Sequence, residues 1–353
     1  MKKTVVFAFL LLLGKACLAQ FPGSVPDTAW PGTEIWNRAP HNAFTDLIEY
    51  KGYIYCSFRE GAGHVPGTNG VGRIIRTKDG HSWEPFALIR KEGIDLRDQK
   101  ISVMPDGRML CLMGGSVYDT SQKPSRLLGM YPHVAFMGKD MKFSEPEKAI
   151  LENSSHNNWI WRLTWYKGTG YGIDYGQGSA LSLVKTTDGK TYTRIAELEI
   201  DGMPNESTIR FDKKGKMYIL VRREQGDKLG VLATGRAPFT SFNYQKLDYR
   251  LGGPDFIFSP DQKKLIIGTR LYLPGGASTG VLVCDLNGKL LKTVLLESGR
   301  GWDCSYPGML IKGKELWASY YASHKGKANI YFTRIPLKHL LNKLYAGGEK
   351  EYL

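Results

Sequence analysis

DLIEYKGYIYCSF, residues 46–58, decides the fold: two short runs rich in β-branched and aromatic residues flank a Lys51-Gly52 turn. The same plan recurs in KISVMPDGRMLCLM (100–113), RLTWYKGTGYGIDY (162–175), STIRFDKKGKMYILV (207–221), FIFSPDQKKLIIGT (256–269) and GMLIKGKELWASYY (308–321). The turns fall near Gly52, Gly107, Gly168, Gly215, Asp261 and Gly313. That spacing, roughly 50 residues, is the length of a four-stranded propeller blade.

A second repeat lies between the hairpins. RTKDGHSW (76–83) aligns without gaps on KTTDGKTY (185–192), with looser echoes at GKDMKF (138–143) and CDLNGKL (284–290). Helical periodicity is absent until PLKHLLNKLY (336–345). The expected fold is all-β, a six-bladed β-propeller with a short N-terminal extension and a C-terminal helical tail. A β-sandwich accounts less well for so regular a repeat.

The chain opens with Lys2 and Lys3, an apolar run from Val5 to Leu13, and GKACLAQ, which offers a cut after about Ala19. Residues 1–19 therefore read as a signal peptide, and 20–353 as a single propeller catalytic domain, secreted or periplasmic. No stretch reaches the roughly 20 apolar residues of a membrane-spanning helix, so no integral membrane segment is expected. Lysine and arginine number 48 against 34 acids, a formal charge of +14. An anionic partner follows. The lysines are scattered through turns such as DKKGK rather than gathered on one helix, which argues against nucleic acid and for an acidic glycan. Cys56, Cys111, Cys284 and Cys304 lie beyond the leader, with room for two disulfides or for buried thiols. No C-x-x-C or H-x-x-x-H spacing occurs, so neither a metal nor a cofactor is expected.

The propeller plan assigns faces. The start of strand one, the end of strand two and the loop from strand two to three share one rim; the DG turns sit on the other. There Asp79 and Asp188 read as turn residues, not catalysts. The first rim collects Arg38 and His41, Asp98, Trp161 and Arg162, Asn205 and Glu206, Asp255 and Tyr306 from strand starts. Strand ends add Arg59, Asp174 and Tyr175, Arg222 and Arg223, Arg270, and Tyr320 and Tyr321. Several arginines around one axis need an anion among them, and a guanidinium fork matches a carboxylate. A glutamate beside a tyrosine adds a base for a phenol that otherwise titrates near pH 10.

NRAPHNAFTDLIEYKGYIYCSFRE, DGHSW, NESTIRFDKKGKMYILVRRE, GTRLYL and CSYPGML, in that order, resemble the sialidase superfamily of exo-glycosidases over nearly the whole chain beyond the leader. The resemblance implies a six-bladed propeller in which the DG turns are structural Asp boxes. It makes Arg38, Arg222 and Arg270 the arginines that bind a substrate carboxylate, with Arg223 the neighbour competing for the second place. It makes Tyr306 the nucleophile and Glu206 its activator, Arg59 an arginine lining the sugar pocket, and Asp98 an aspartate touching substrate. The family keeps an aspartate acid/base in the loop after Arg59, and REGAGHVPGTNG (59–70) has none. His64 stands near its place, and an imidazole side chain exchanges protons near neutral pH, so it is the candidate acid/base, with Asp98 as the alternative donor. Glu60 fits an ion pair instead.

The function expected is release of a terminal sialic, ulosonic or uronic acid with retention. Two alternatives stand beside it: a uronic-acid glycan lyase or hydrolase working through histidine, and a non-catalytic propeller that binds acidic glycans.

Overall fold

In a computed structural model that describes residues 21–22, 24–64, 70–121, 125–152, 157–176 and 180–342, the chain is built from six sheets, antiparallel but for a short parallel edge strand, Ile150–Leu151, on the third. The leader at 1–19, the tip of the His64 loop at 65–69 and the chain beyond residue 342 lie outside the described residues. Blade I runs His41–Tyr50, Tyr53–Gly61, Val71–Thr77 and Glu84–Ile89; blade II runs Asp95–Val103, Met109–Asp119, Arg126–Phe136 and Glu147–Lys148. Blade III splits its first strand into Asn158–Ile160 and Thr164–Tyr166, then adds Thr169–Gly176, Leu181–Thr186 and Thr191–Leu198. Blade IV is Pro204–Phe211, Met217–Arg223, Leu229–Gly235 and Asn243–Arg250, and blade V is Asp255–Phe258, Leu265–Leu273, Gly276–Cys284 and Leu290–Leu295. All six hairpins read from the sequence are the first two strands of a blade.

Blade VI holds the difference from expectation. Cys304–Lys312, Glu315–Ala322 and Asn329–Pro336 provide three strands, and the fourth, outermost one is Thr33–Trp36 from the start of the chain. It pairs antiparallel with Asn329–Pro336. What reads as an extension is, from Thr33 on, the strand that closes the ring. Trp36 is buried in one apolar cluster with Trp317, Phe332 and Ile330, so burial rather than strand propensity fixes this short segment. The helical tail is reduced, among the described residues, to Leu337–Leu341. No described helix is long and apolar enough to cross a membrane.

The DG turns are built alike. Asp79 Oδ1 accepts from the backbone N–H of His81 at 2.8 Å and Ser82 at 3.1 Å, and Thr77 Oγ1 accepts from Gly80 N at 3.0 Å. In blade III, Asp188 Oδ1 accepts from Lys190 and Thr191 N, each at 2.8 Å, and Thr186 Oγ1 from Gly189 N at 2.9 Å. Both glycines have φ +76, which a side chain would strain. A Cβ on Gly80 would also come within 3.1 Å of the Trp317 and Phe332 rings of blade VI. These turns fasten neighbouring blades and hold no position at the opposite rim, where the polar residues gather.

Candidate functional site

Four inner strands carry the same irregularity. In blade I the register steps from Ala43 opposite Arg59 to Asp46 opposite Ser57, three residues against two. Blade II does so between Arg97 and Lys100, blade IV between Pro204 and Ser207, and blade VI between Ser305 and Gly308. Each is a one-residue bulge, which turns a side chain out of the pleat. Phe44, Asp98, Ser305 and Tyr306 take φ of +66, +53, +92 and +53 within them, a region costly for residues with a Cβ. Phe44, Asp98, Glu206 and Tyr306 are thereby brought to the axis from four blades.

Tyr306 Oη donates to Glu206 Oε1 at 2.7 Å. Arg222 Nη1 donates to Tyr306 Oη at 3.0 Å and to Glu206 Oε2, whose second donor is Gly253 N at 3.0 Å. Gly253 sits at φ +57, and a Cβ there would lie 2.4 Å from the Tyr306 ring; the tyrosine rests on bare backbone. Burial opposes the charge on Glu206, but Arg222, the Tyr306 and Arg222 hydrogen bonds and Arg270 outweigh it and hold the carboxyl below its usual range. Burial and the Glu206 charge push the Tyr306 phenol above its ordinary value against Arg222 and Arg270. The empty site therefore holds a neutral phenol against a charged carboxylate. Proton transfer between them is uphill until bond formation at the phenol oxygen drives it.

Arg270 flanks the same tyrosine. Its guanidinium carbon is 5.4 Å from the Tyr306 ring centroid, and its Nε and Nη2 donate to the Cys304 carbonyl at 3.1 and 2.8 Å. Arg222 is occupied further by Glu224, which also accepts from Arg250 at 2.7 Å. Arg223 turns the other way, to Asp201 at 2.9 Å and Asp227 at 2.6 Å. The pair competing in the sequence is thus separated by geometry.

His64 lies across Phe44 from Tyr306. Phe44 meets His64 edge-on at a centroid distance of 5.1 Å and Tyr306 at 5.0 Å. His64 Nδ1 is 2.8 Å from Asp303 Oδ1, and His41 Nε2 is 2.8 Å from Asp303 Oδ2. Tyr321 Oη also donates to Asp303 Oδ1, at 2.8 Å. Burial opposes the Asp303 charge; the two imidazole hydrogen bonds and their charges win and drive the carboxyl far below the normal carboxylate range. The ligating atoms of His41, His64 and Asp303 lie within 4.8 Å of one another, donor types that suit a divalent cation. Among the described residues they form the group that could hold one.

Asp98 is 7% exposed, and its Oδ1 has no hydrogen-bond partner among the described residues. Burial raises its carboxyl first of all; Arg97 and Lys100 oppose this and the Glu206 charge adds to it. The charges of Glu206 and His64 are both felt at Asp98.

Two expected pocket arginines have partners of their own. Arg38 is exposed, with its guanidinium carbon 4.2 Å from the Trp36 ring centroid. Arg59 is fully buried, donating from Nε to Asp95 at 2.8 Å and from Nη1 to the Gly63 carbonyl at 2.8 Å. It anchors the loop one residue before His64 rather than presenting a free fork. Glu60 is held by Trp36 Nε1 at 2.7 Å and Arg73 Nε at 3.0 Å. Arg162 and Asp255, also rim candidates, are buried together with Asp46 deeper along the axis: Arg162 pairs with Asp46, and Arg210 Nη2 donates to Asp255 at 2.7 Å. All four cysteines outside the leader are free and buried.

Sequence reasoning passed over Asp303 and Phe44. Asp303 stands just ahead of a first strand, the position that singled out Tyr306. Phe44 carries no signal, being an apolar side chain with no titrating or ligating group.

No family model matches the chain, and no curated protein does. Solved structures do. A protein of unknown function from Dyadobacter fermentans superposes with a TM-score of 0.71 at 18% identity, over 86% of this chain and 95% of that one. A Trypanosoma rangeli sialidase bound to the inhibitor DANA gives 0.69 at 10% identity, over 86% of this chain and 59% of the sialidase. The Hadza microbial sialidase Hz136 gives 0.67 at 12%, over 87% and 69%. The chain therefore has the sialidase-like six-bladed fold, and it spans little more than half the length of the trypanosomal enzyme.

Proposed function

We propose that the protein is an exported exo-glycosidase that releases a terminal acidic sugar with retention. The observation that supports this most is the Tyr306–Glu206–Arg222 triangle, with Tyr306 Oη 2.7 Å from Glu206, assembled from two bulged strands on different blades. Tyr306 Oη attacks the anomeric carbon while its proton passes to Glu206 Oε1. The glycosidic C–O bond breaks as its oxygen takes a proton from His64. Water, deprotonated by His64, then attacks the same carbon, and Tyr306 leaves with the proton returned by Glu206. Asp98, on which the Glu206 charge acts, is a buried acid that stays protonated more readily than an ordinary aspartate.

The acidic character of the sugar rests on Arg222 and Arg270 beside Tyr306 and on the basic excess of the chain. Arg222 and Arg270 are the two arms on which the proposed grip on a carboxylate draws. Incubation with sialyl, ulosonyl and uronyl glycosides, and with neutral glycosides as controls, followed by mass analysis of the released sugar, tests the reading. Release of only neutral sugars would overturn the acidic assignment; release of none would overturn the enzyme.

A second reading is favoured by the His41–Asp303–His64 group, which exceeds what a tyrosine nucleophile needs: β-elimination on a uronic-acid glycan with His64 as base. Ultraviolet absorbance of an unsaturated product separates it from hydrolysis. Export rests on the leader, and N-terminal sequencing of secreted protein is expected to begin at about Gln20.

A further inference from the structure

We propose that Asp303 is the positioning residue of the site: it fixes His64 as the Nδ1–H tautomer, so that Nε2 alone faces the substrate, and uses His41 to keep its own carboxylate in place. The inference rests on the reading of His64 as proton carrier but reaches a residue outside the tyrosine–glutamate machinery.

The argument begins with the acceptor. A carboxylate has only acceptors to offer, so each nitrogen at 2.8 Å must donate. His64 therefore carries its proton on Nδ1, and Nε2 is left for solvent or substrate. His41 donates from Nε2, and its Nδ1 is buried without a partner among the described residues. The proton that His41 gives to Asp303 is thereby placed on Nε2. The two imidazoles take different oxygens of Asp303, and Tyr321 adds a third donor. Three donors from three places along the chain leave the carboxylate little freedom to rotate.

The half-exposed His64 would otherwise have more. It sits on a glycine-rich loop, held on its other side by the edge of Phe44 and by the Arg59 bond to the Gly63 carbonyl. The charged and titratable groups about it are Asp303 and His41, Tyr321 through Asp303, Asp98, which feels its charge, and Tyr306 across Phe44. When His64 gives up a proton from Nε2 it becomes the neutral Nδ1–H form that Asp303 already binds. When it takes one, the imidazolium lies against a carboxylate. Both states of the proton cycle are therefore accommodated without a ring flip.

Two measurements test this on the full secreted chain. Long-range ¹H–¹⁵N spectra of histidine-labelled protein, with His64→Gln to identify the resonance, are expected to show His64 as Nδ1–H in wild type and as a tautomer mixture in Asp303→Asn. A single Nε2–H tautomer, or the same spectrum in both proteins, would overturn the proposal whatever the activity. On any glycoside that the panel above shows to be cleaved, Asp303→Asn is expected to lower kcat roughly 10²-fold for the methyl glycoside and far less for the 4-nitrophenyl glycoside, which needs little protonation. Equal losses on both glycosides would mean a merely structural aspartate. Stoichiometric zinc whose removal by a chelator abolishes turnover would make the group a metal site and overturn the proposal. If the tautomer is as stated and no glycoside is cleaved, the glycosidase reading falls while the positioning stands.

Discussion

Tyr306 and Asp98 show two ways in which a site can hold a group away from its ordinary ionisation. Tyr306 is kept neutral beside a carboxylate, so removing its hydroxyl should remove the chemistry and little else. Tyr306→Phe is expected to lower turnover at least about 10³-fold with a Tm close to wild type; near-normal turnover would show that another group attacks. Asp98 is buried with its carboxyl raised. A raised acid stabilises the fold below its unfolded pKa of about 4, and that contribution is lost as pH rises through the folded value, where a charge must be buried. Asp98→Asn should therefore gain Tm over wild type at pH 8, and the gain should shrink toward pH 4. A gain that grows on acidification would reverse the sign and refute the burial argument. The tyrosine, the glutamate and Arg222 were legible because their flanking residues survive from a known pattern. Asp303 was not, since its meaning depends on two histidines more than 200 residues away that share its two oxygens.

The bulge is the element on which the site depends. Hairpins were legible from alternation and turn chemistry, because a period of two and a Gly turn leave a local mark. Bulges leave none here. Phe44 and Tyr306 are not turn residues, and their positive φ is imposed by packing rather than by preference, at a cost on the order of 1–2 kcal/mol each. Such strain at three of the four matching bulges is a structural signature that local sequence does not carry. Because side chains alternate faces along a strand, deleting Ser305 should restore a regular ladder and swing Tyr306 away from Glu206. The expected result is loss of turnover comparable to Tyr306→Phe, with β-type circular dichroism and a cooperative melt retained. A similar logic applies to Gly253: at φ +57 beneath the Tyr306 ring, Gly253→Ala should displace the ring and reduce turnover more than stability.

At the scale of the whole molecule, the ring is held shut by four residues from one end of the chain. Trp36 is 5% exposed against blade VI, and Trp36→Ala is expected to cost about 3–5 kcal/mol, read as a large fall in Tm. The six blades were legible from six hairpins, whereas the closing strand was not, since four residues carry too little alternation and their partner lies about 300 positions away. The same distance explains Arg38. Its motif matched, yet the strand before it is bound to blade VI and its side chain lies on Trp36.

Blade VI is also where Tyr306 and Asp303 reside. The sheet that supplies the proposed nucleophile and the proposed anchor of the proton carrier is thus the one that joins Thr33–Trp36 to Cys304–Pro336. A nascent chain lacks it until residue 336 has been made, and a protease that trims past Trp36 removes its outer strand. Competence for the proposed chemistry is therefore coupled to closure of the ring: a chain stopped before Cys304 lacks Tyr306, and one trimmed past Trp36 lacks the strand that covers its sheet.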